Sequence, residues 1–295
     1  MGRKNKASLW LEYFLTWLGK NIFFVLSWRW AQRGGFLLGW LVRHFLPGRR
    51  KIVTDNLKYA FPEKKEQERI QIAKKVWDNI GITAAEFIKM QQLAHGNLLH
   101  YIKIQGEEYL KESLATGKGG ILFSAHFCNW EIVHAALSLK GYPILAIARP
   151  LENPLVDRFV NLIRESFGTK IISAKNSIGQ ALNWLRTNRL LYVLLDQRIT
   201  EGDIYVNFLN RPAATSPIVA LLARRTGTAV IPIYSVRKED GIIEIYVEEP
   251  LKIKMVNNIR ENTLLNTVIF SRIIEGWIEK YPHYWFWVHN RWKRG

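Results

Sequence analysis

The chain has 295 residues, 48% of them hydrophobic, enough for one large α/β domain or two small ones. Its formal net charge of +17 points to acidic partners: phospholipid head groups, an acidic carrier protein or nucleic acid. A single cysteine, Cys128, excludes an internal disulfide framework and is compatible with a reducing compartment.

Residues 9–46 are dominated by apolar and aromatic side chains, among them Trp10, Phe14, Trp17, Phe24, Trp30 and Trp40, broken by Glu12, Lys20, Arg29, Arg33 and Arg43. No uninterrupted apolar run reaches the ~18 residues of a spanning helix. No small-residue cleavage site follows a short apolar core, so the stretch is a poor secretory signal. Tryptophans mixed with cations suit a membrane interface, where rings sit at head-group level and long basic chains snorkel. Residues 1–48 are therefore expected to form a membrane-associated segment of one or two helices lying in or dipping into the bilayer, ahead of a single α/β domain over 49–295.

Gly48-Arg49-Arg50-Lys51 opens a basic helix that Pro62 stops. Residues 64–90 form a long amphipathic helix with Ile70, Ala73, Val76, Trp77 and Ile80 on one face, and Glu86 could point either way. From residue 102 strand-like and helix-like segments alternate. Strands are expected over 121–124, 144–148, 170–172, 190–195, 230–234 and 242–247. Helices are expected over 131–139, 154–167, 178–186, 217–226 and 260–281. This alternation implies an α/β fold with a mixed, mostly parallel central sheet flanked by helices. Asp240-Gly241 splits the last strand pair as a hairpin. Residues 202–215 read either as the wall of a lipid groove or as an edge hairpin.

Chemistry concentrates in Gly119-Gly120-Ile121-Leu122-Phe123-Ser124-Ala125-His126-Phe127-Cys128-Asn129-Trp130-Glu131. A turn releases a short buried strand, and His126 follows at the mouth of a strand-to-helix crossing, where open α/β sheets place reacting groups. Histidine supplies a base near neutrality, and a carboxylate on its other ring nitrogen fixes the tautomer. Glu131 is one candidate for that carboxylate. Asp196 is its rival, because it ends the apolar run 190–195, where a lone charge would be expensive to bury. Arg149, at the end of the 144–148 strand, could hold a phosphate or a developing oxyanion, and Arg164 could reach the same cleft. A thiol nucleophile at Cys128 has to be weighed against a small buried side chain. His126, Cys128, Glu131 and His134 match neither H-E-x-x-H nor paired C-x-x-C spacing, so no metal is expected. The run 281–294, dense in aromatics and cations, fits an interface anchor like the N-terminal region.

Together these stretches resemble a known family. His126-Phe-Cys-Asn-Trp-Glu131 is similar to the H-x4-D/E signature of the glycerolipid acyltransferase superfamily, and more closely to its bacterial lipid A late (secondary) acyltransferases. Arg149-Pro150, Asp196-Gln197, the segment from Pro282 through Lys293, and Asn56-Leu57-x-x-Ala60-Phe61-Pro62-Glu63 occur in the family's order over nearly the whole chain. Phe127-Cys128, Asn210 and Pro217 depart from its usual residues, at positions expected to shape acyl or acceptor pockets. The resemblance implies an enzyme at the cytoplasmic face of a bacterial inner membrane. It would move a fatty acyl chain from a thioester, on acyl carrier protein or coenzyme A, to a hydroxyl of a glycolipid acceptor, a lipid A precursor. His126 would be the base, with Glu131 or Asp196 orienting it. Arg149, Arg164, Asn129 and Gln197 are the candidate substrate-binding residues, and no cofactor is expected. The alternatives are acyl transfer to another membrane lipid, such as a phosphatidylinositol mannoside or a lysophospholipid, and a basic non-catalytic protein binding membranes or nucleic acid.

Overall fold

A computed structural model describes residues 5–94, 97–175, 177–198 and 204–292. Four helices lead: α1 (Lys6–Val25), α2 (Trp28–Phe45), α3 (Pro47–Ala60) and α4 (Glu66–Met90). The Asn5 side chain caps α1 by accepting from the Ser8 N–H. Pro47 opens α3, where its missing N–H costs nothing. Helices α2 and α4 meet backbone to backbone: a Cβ on Gly39 would run into the Trp77 carbonyl, and one on Gly81 into Gly35 and Gly39. The faces of α1 and α2 turned away from α4 carry Trp10, Phe14, Trp17, Phe36 and Trp40, all about half exposed. Among the described residues no helix is long and apolar enough to cross a membrane, so the N-terminal segment comes out as two helices and not as a spanning anchor.

The rest alternates: β1 (Ile102–Gln105), α5 (Glu107–Ala115), β2 (Gly120–Ser124), α6 (Trp130–Leu139), β3 (Ile144–Ala148), α7 (Pro154–Glu165), β4 (Lys170–Ser173), α8 (Ser177–Arg186) and β5 (Leu190–Leu194). Then follow β6 (Ile204–Phe208), β7 (Arg211–Thr215), α9 (Ile218–Thr226), β8 (Ala229–Arg237), β9 (Ile243–Val247) and α10 (Ile259–Lys280). Seven strands form one sheet in the order β1-β9-β8-β2-β5-β3-β4, parallel throughout except for the β8–β9 pair. The fold is thus α/β with a mostly parallel sheet flanked by helices, as the alternation implied. The expected strands are present with ends shifted by a few residues, and β1 and α5 are additional elements. The 202–215 segment is a hairpin, β6–β7, turning through Leu209 and Asn210, which both have positive φ; Gly202 and Asp203 lie outside the described residues. Asparagine tolerates that conformation.

All of β2 is buried because helices cover both faces of the sheet. Topology then makes the site. The chain passes from β2 through α6 to β3, and β5 later inserts between them, so Ser124 pairs with Leu194. The residues just beyond these two, His126 and Asp196, emerge side by side at the carboxyl edge of the sheet.

Candidate active site

His126 lies in the loop between β2 and α6, and the C-terminal segment holds that loop from behind. Phe127 bridges to Trp285, the Phe286 N–H donates to the His126 carbonyl (3.0 Å), and the Cys128 N–H donates to the Tyr284 carbonyl (2.9 Å). The imidazole is 16% exposed, with the rings of Trp130 and Phe286 beside it at 4.9 and 6.1 Å.

Asp196 is the carboxylate that meets the ring. Oδ1 lies 2.8 Å from His126 Nδ1, while Oδ2 accepts from the His126 backbone N–H (3.0 Å) and from the Trp285 indole N–H (2.8 Å). Burial alone would raise this carboxyl. The neighbouring imidazole and these hydrogen bonds more than offset burial and hold it below the ordinary aspartate range. On the other side of the ring, Gln197 Nε2 lies 3.0 Å from His126 Nε2. An amide N–H donating there requires Nε2 to be the acceptor and Nδ1 to carry the proton toward Asp196, the tautomer a general base needs.

Glu131 serves a different network. Arg164 grips it with Nε to Oε2 at 2.9 Å and Nη2 to Oε1 at 2.6 Å, His134 Nε2 is 3.1 Å from Oε2, and the Trp130 indole donates to Oε1 at 3.1 Å. Burial opposes its charge, but the Arg164 guanidinium overcomes it and pulls the carboxyl far below the usual range. Of the two rival acids, then, Asp196 lies against the imidazole, and Glu131 ties α6 to α7.

Three expectations need correction. Arg164 has both ends of its guanidinium committed to Glu131, which leaves it no fork for a substrate phosphate. Asn129 is fully buried at the start of α6: Oδ1 caps the Ile132 N–H and Nδ2 donates to Glu86 Oε2, so it supports the loop from inside. The aromatic C-terminal run packs inward, with Trp285 and Trp287 buried and Trp292 donating to the Phe208 carbonyl; Lys293 and Arg294 lie outside the described residues. Those rings fill the core, because the segment that carries them pairs with the His126 loop. Phe127 and Cys128 are buried too, in the core behind the His126 loop. Burial pushes the Cys128 thiol up, which removes it as a nucleophile. Arg149 remains exposed at the end of β3, its Nη2 donating to the Arg198 carbonyl at 3.2 Å.

Two features escape the sequence reading. Trp285 has no periodicity to flag it. Glu86 points inward, bound by Arg237 (2.7 and 2.6 Å), Gln32 (2.7 Å) and Asn129 (2.9 Å), and so connects α2, α4, β8 and the His126 loop. Among the described residues no cluster of three or more His, Cys, Asp or Glu side chains could hold a metal ion.

An open, mostly parallel sheet with an imidazole at the carboxyl ends of its central strands defines an α/β enzyme, and its relatives make it an acyltransferase. The chain belongs to the family described as bacterial lipid A biosynthesis acyltransferase, whose pattern matches residues 1–294. It is 26% identical to the lipid A biosynthesis lauroyltransferase of Escherichia coli (strain K12), over 96% of this chain and 92% of that protein. It is 22% identical to the lipid A biosynthesis palmitoleoyltransferase of the same organism, over 96% and 92% of the two chains. A phosphatidylinositol mannoside acyltransferase of Mycolicibacterium smegmatis is 22% identical over 70% of this chain and 67% of its own length.

Proposed function

We propose that the enzyme transfers a fatty acyl chain from an acyl thioester to a hydroxyl of a lipid A precursor, with His126 as general base. The observation that carries this reading is the pair of hydrogen bonds on the imidazole, Nδ1 to Asp196 and Nε2 facing Gln197, at the partly exposed edge of the sheet. The acceptor hydroxyl displaces the Gln197 amide and gives its proton to Nε2 as its oxygen bonds to the thioester carbonyl carbon. Asp196 stabilises the imidazolium formed in that step. When the tetrahedral intermediate collapses the C–S bond breaks, and the departing sulfur takes the proton back from Nε2. A thioester is already activated, so neither a covalent enzyme intermediate nor a cofactor is required. Gln197 contacts the substrate oxygen, and Arg149, exposed at the end of β3, takes an acceptor phosphate.

The acyl donor is acyl carrier protein or coenzyme A, both acidic partners for a +17 chain. The setting is the cytoplasmic face of the inner membrane, with the exposed apolar faces of α1 and α2 in the interface. Contact between α1 and the Arg149 loop supports this arrangement: Asn153 Nδ2 donates to the Leu9 carbonyl (2.8 Å) and to Glu12 Oε2 (3.1 Å), bringing the apolar helix next to the strand end that carries Arg149.

The test is purified enzyme offered acyl carrier protein and coenzyme A thioesters against a panel of acceptors, alongside His126→Ala. Lipid A precursors acylated by wild type alone support the reading; normal turnover by folded His126→Ala overturns it. The similarity to the mycobacterial enzyme favours a second reading, transfer to a phosphatidylinositol mannoside, and the same panel separates the two acceptors.

A further inference from the structure

Asp196 carries two different loads on its two oxygens. Oδ1 faces the imidazole, and Oδ2 takes the His126 backbone N–H and the Trp285 indole N–H. Two of these three donors belong to His126 itself, so Trp285 is the one described donor that anchors the carboxylate to a separate part of the fold. Its ring is buried and wedged among Phe208 (5.5 Å), Trp287 (4.6 Å) and Trp292 (5.9 Å), and its backbone bridges to Phe127 in the His126 loop. An indole N–H fixed this firmly selects one rotation of the carboxylate about its Cβ–Cγ bond.

We propose that Trp285 is a positioning residue: its indole N–H locks the Asp196 carboxylate in the orientation that presents Oδ1 to His126 Nδ1 and leaves Nε2 free to accept a proton. The proposal rests on His126 acting as the base. The run that carries Trp285 resembles a membrane anchor in its composition, yet its ring is buried and hydrogen-bonded to Asp196.

Two titratable groups face the pair, Tyr192 on β5 and His289 in the C-terminal segment; Tyr192 in turn faces Glu131 and Arg164, and His289 faces Arg149 and Arg291. Burial lowers His289 to about 4 and pushes the Tyr192 hydroxyl well above its ordinary range, so neither titrates near neutrality.

The experiment compares full-length wild type with Trp285→Phe and with Trp285 replaced by benzothienylalanine, which keeps the bicyclic shape and removes only the N–H. Both variants are expected to lose on the order of tenfold or more in kcat with KM for donor and acceptor unchanged, the range set by one hydrogen bond to a charged group. Without the indole, Oδ2 keeps only the His126 backbone donor, so the carboxylate is free to turn and its hold on Nδ1 loosens. Added to Asp196→Asn, the same replacements should cost nothing further, because Trp285 acts through that carboxylate. The His126 Nδ1 proton, followed by NMR with no substrate present, should shift and exchange faster in both variants. An unmoved Nδ1 signal overturns the proposal whether or not turnover is measurable, and so does an undiminished loss in the Asp196→Asn background. An Nδ1 signal that responds while His126→Ala still turns over sinks the base assignment and leaves the positioning of Asp196 standing.

Discussion

Replacing Asp196 by Asn changes one atom and should reverse the imidazole. Two N–H donors, the His126 backbone and the Trp285 indole, point at the Oδ2 position. The Asn carbonyl oxygen has to take that place, since an amide nitrogen there would face two donors. The NH2 group then faces His126 Nδ1, which must become the acceptor, and the ring proton moves to Nε2. A ring protonated on Nε2 cannot take a proton from the acceptor hydroxyl. In histidine–aspartate hydrolases the same acid-to-amide change costs on the order of 10⁴-fold in kcat by this route, about 5 kcal/mol of barrier. The fold should barely change, because every hydrogen bond of the carboxylate keeps a partner. Acyl transfer under the proposed assay, followed by mass spectrometry of the product, measures the first effect, and the denaturant midpoint measures the second. A folded Asp196→Asn enzyme within about tenfold of wild-type kcat would refute the tautomer argument.

Arg164→Met should leave the buried Glu131 carboxylate without its main partner and cost about 3–5 kcal/mol of stability, read from denaturant midpoints; a loss below ~1 kcal/mol would show that the pair is dispensable. Because the Glu131 carboxyl is held below its ordinary value, its contribution is fully present above a pH of about 4.3 and disappears as pH falls through the depressed value. The stability gap between wild type and Glu131→Gln should therefore narrow below about pH 4, and a gap constant from pH 7 to pH 3 contradicts the assignment. Cys128→Ser should keep most of its transferase activity; complete loss in folded protein would bring back a thiol mechanism. Changing Trp10, Phe14 and Trp17 together to Ser should reduce co-sedimentation with anionic vesicles by more than about tenfold, since each half-exposed ring offers apolar area worth on the order of 1 kcal/mol. Unchanged partition would move the membrane contact elsewhere.

The strand ends of the central sheet are legible because apolar runs bounded by Gly, Asp or His leave few alternatives: Gly119-Gly120 starts β2 and Asp196 follows β5. The choice between Glu131 and Asp196 is not legible. Glu131 is near His126 in the chain, but α6 carries it round toward α7, while Asp196 is brought to the ring by a strand inserted seventy residues later. Arg164 looks like a substrate ligand from its distance in sequence alone, and only the geometry of α7 reveals its fork on Glu131. The C-terminal aromatics mislead for a similar reason: rings and cations have the same composition at an interface and in a core, and residues 282–292 lack the helical or strand period that would separate the two. Likewise nothing around Gly81 announces that Gly35 and Gly39 will touch it.

That late segment has a consequence for synthesis. A ribosome that has delivered the chain through α10 has already released both His126 and Asp196, yet neither Trp285 nor the Phe286 amide that grips the His126 loop. The helices α1 and α2 and every strand of the sheet emerge before that closure. The His126–Asp196 pair would thus gain its outer anchor only after the whole sheet has been made.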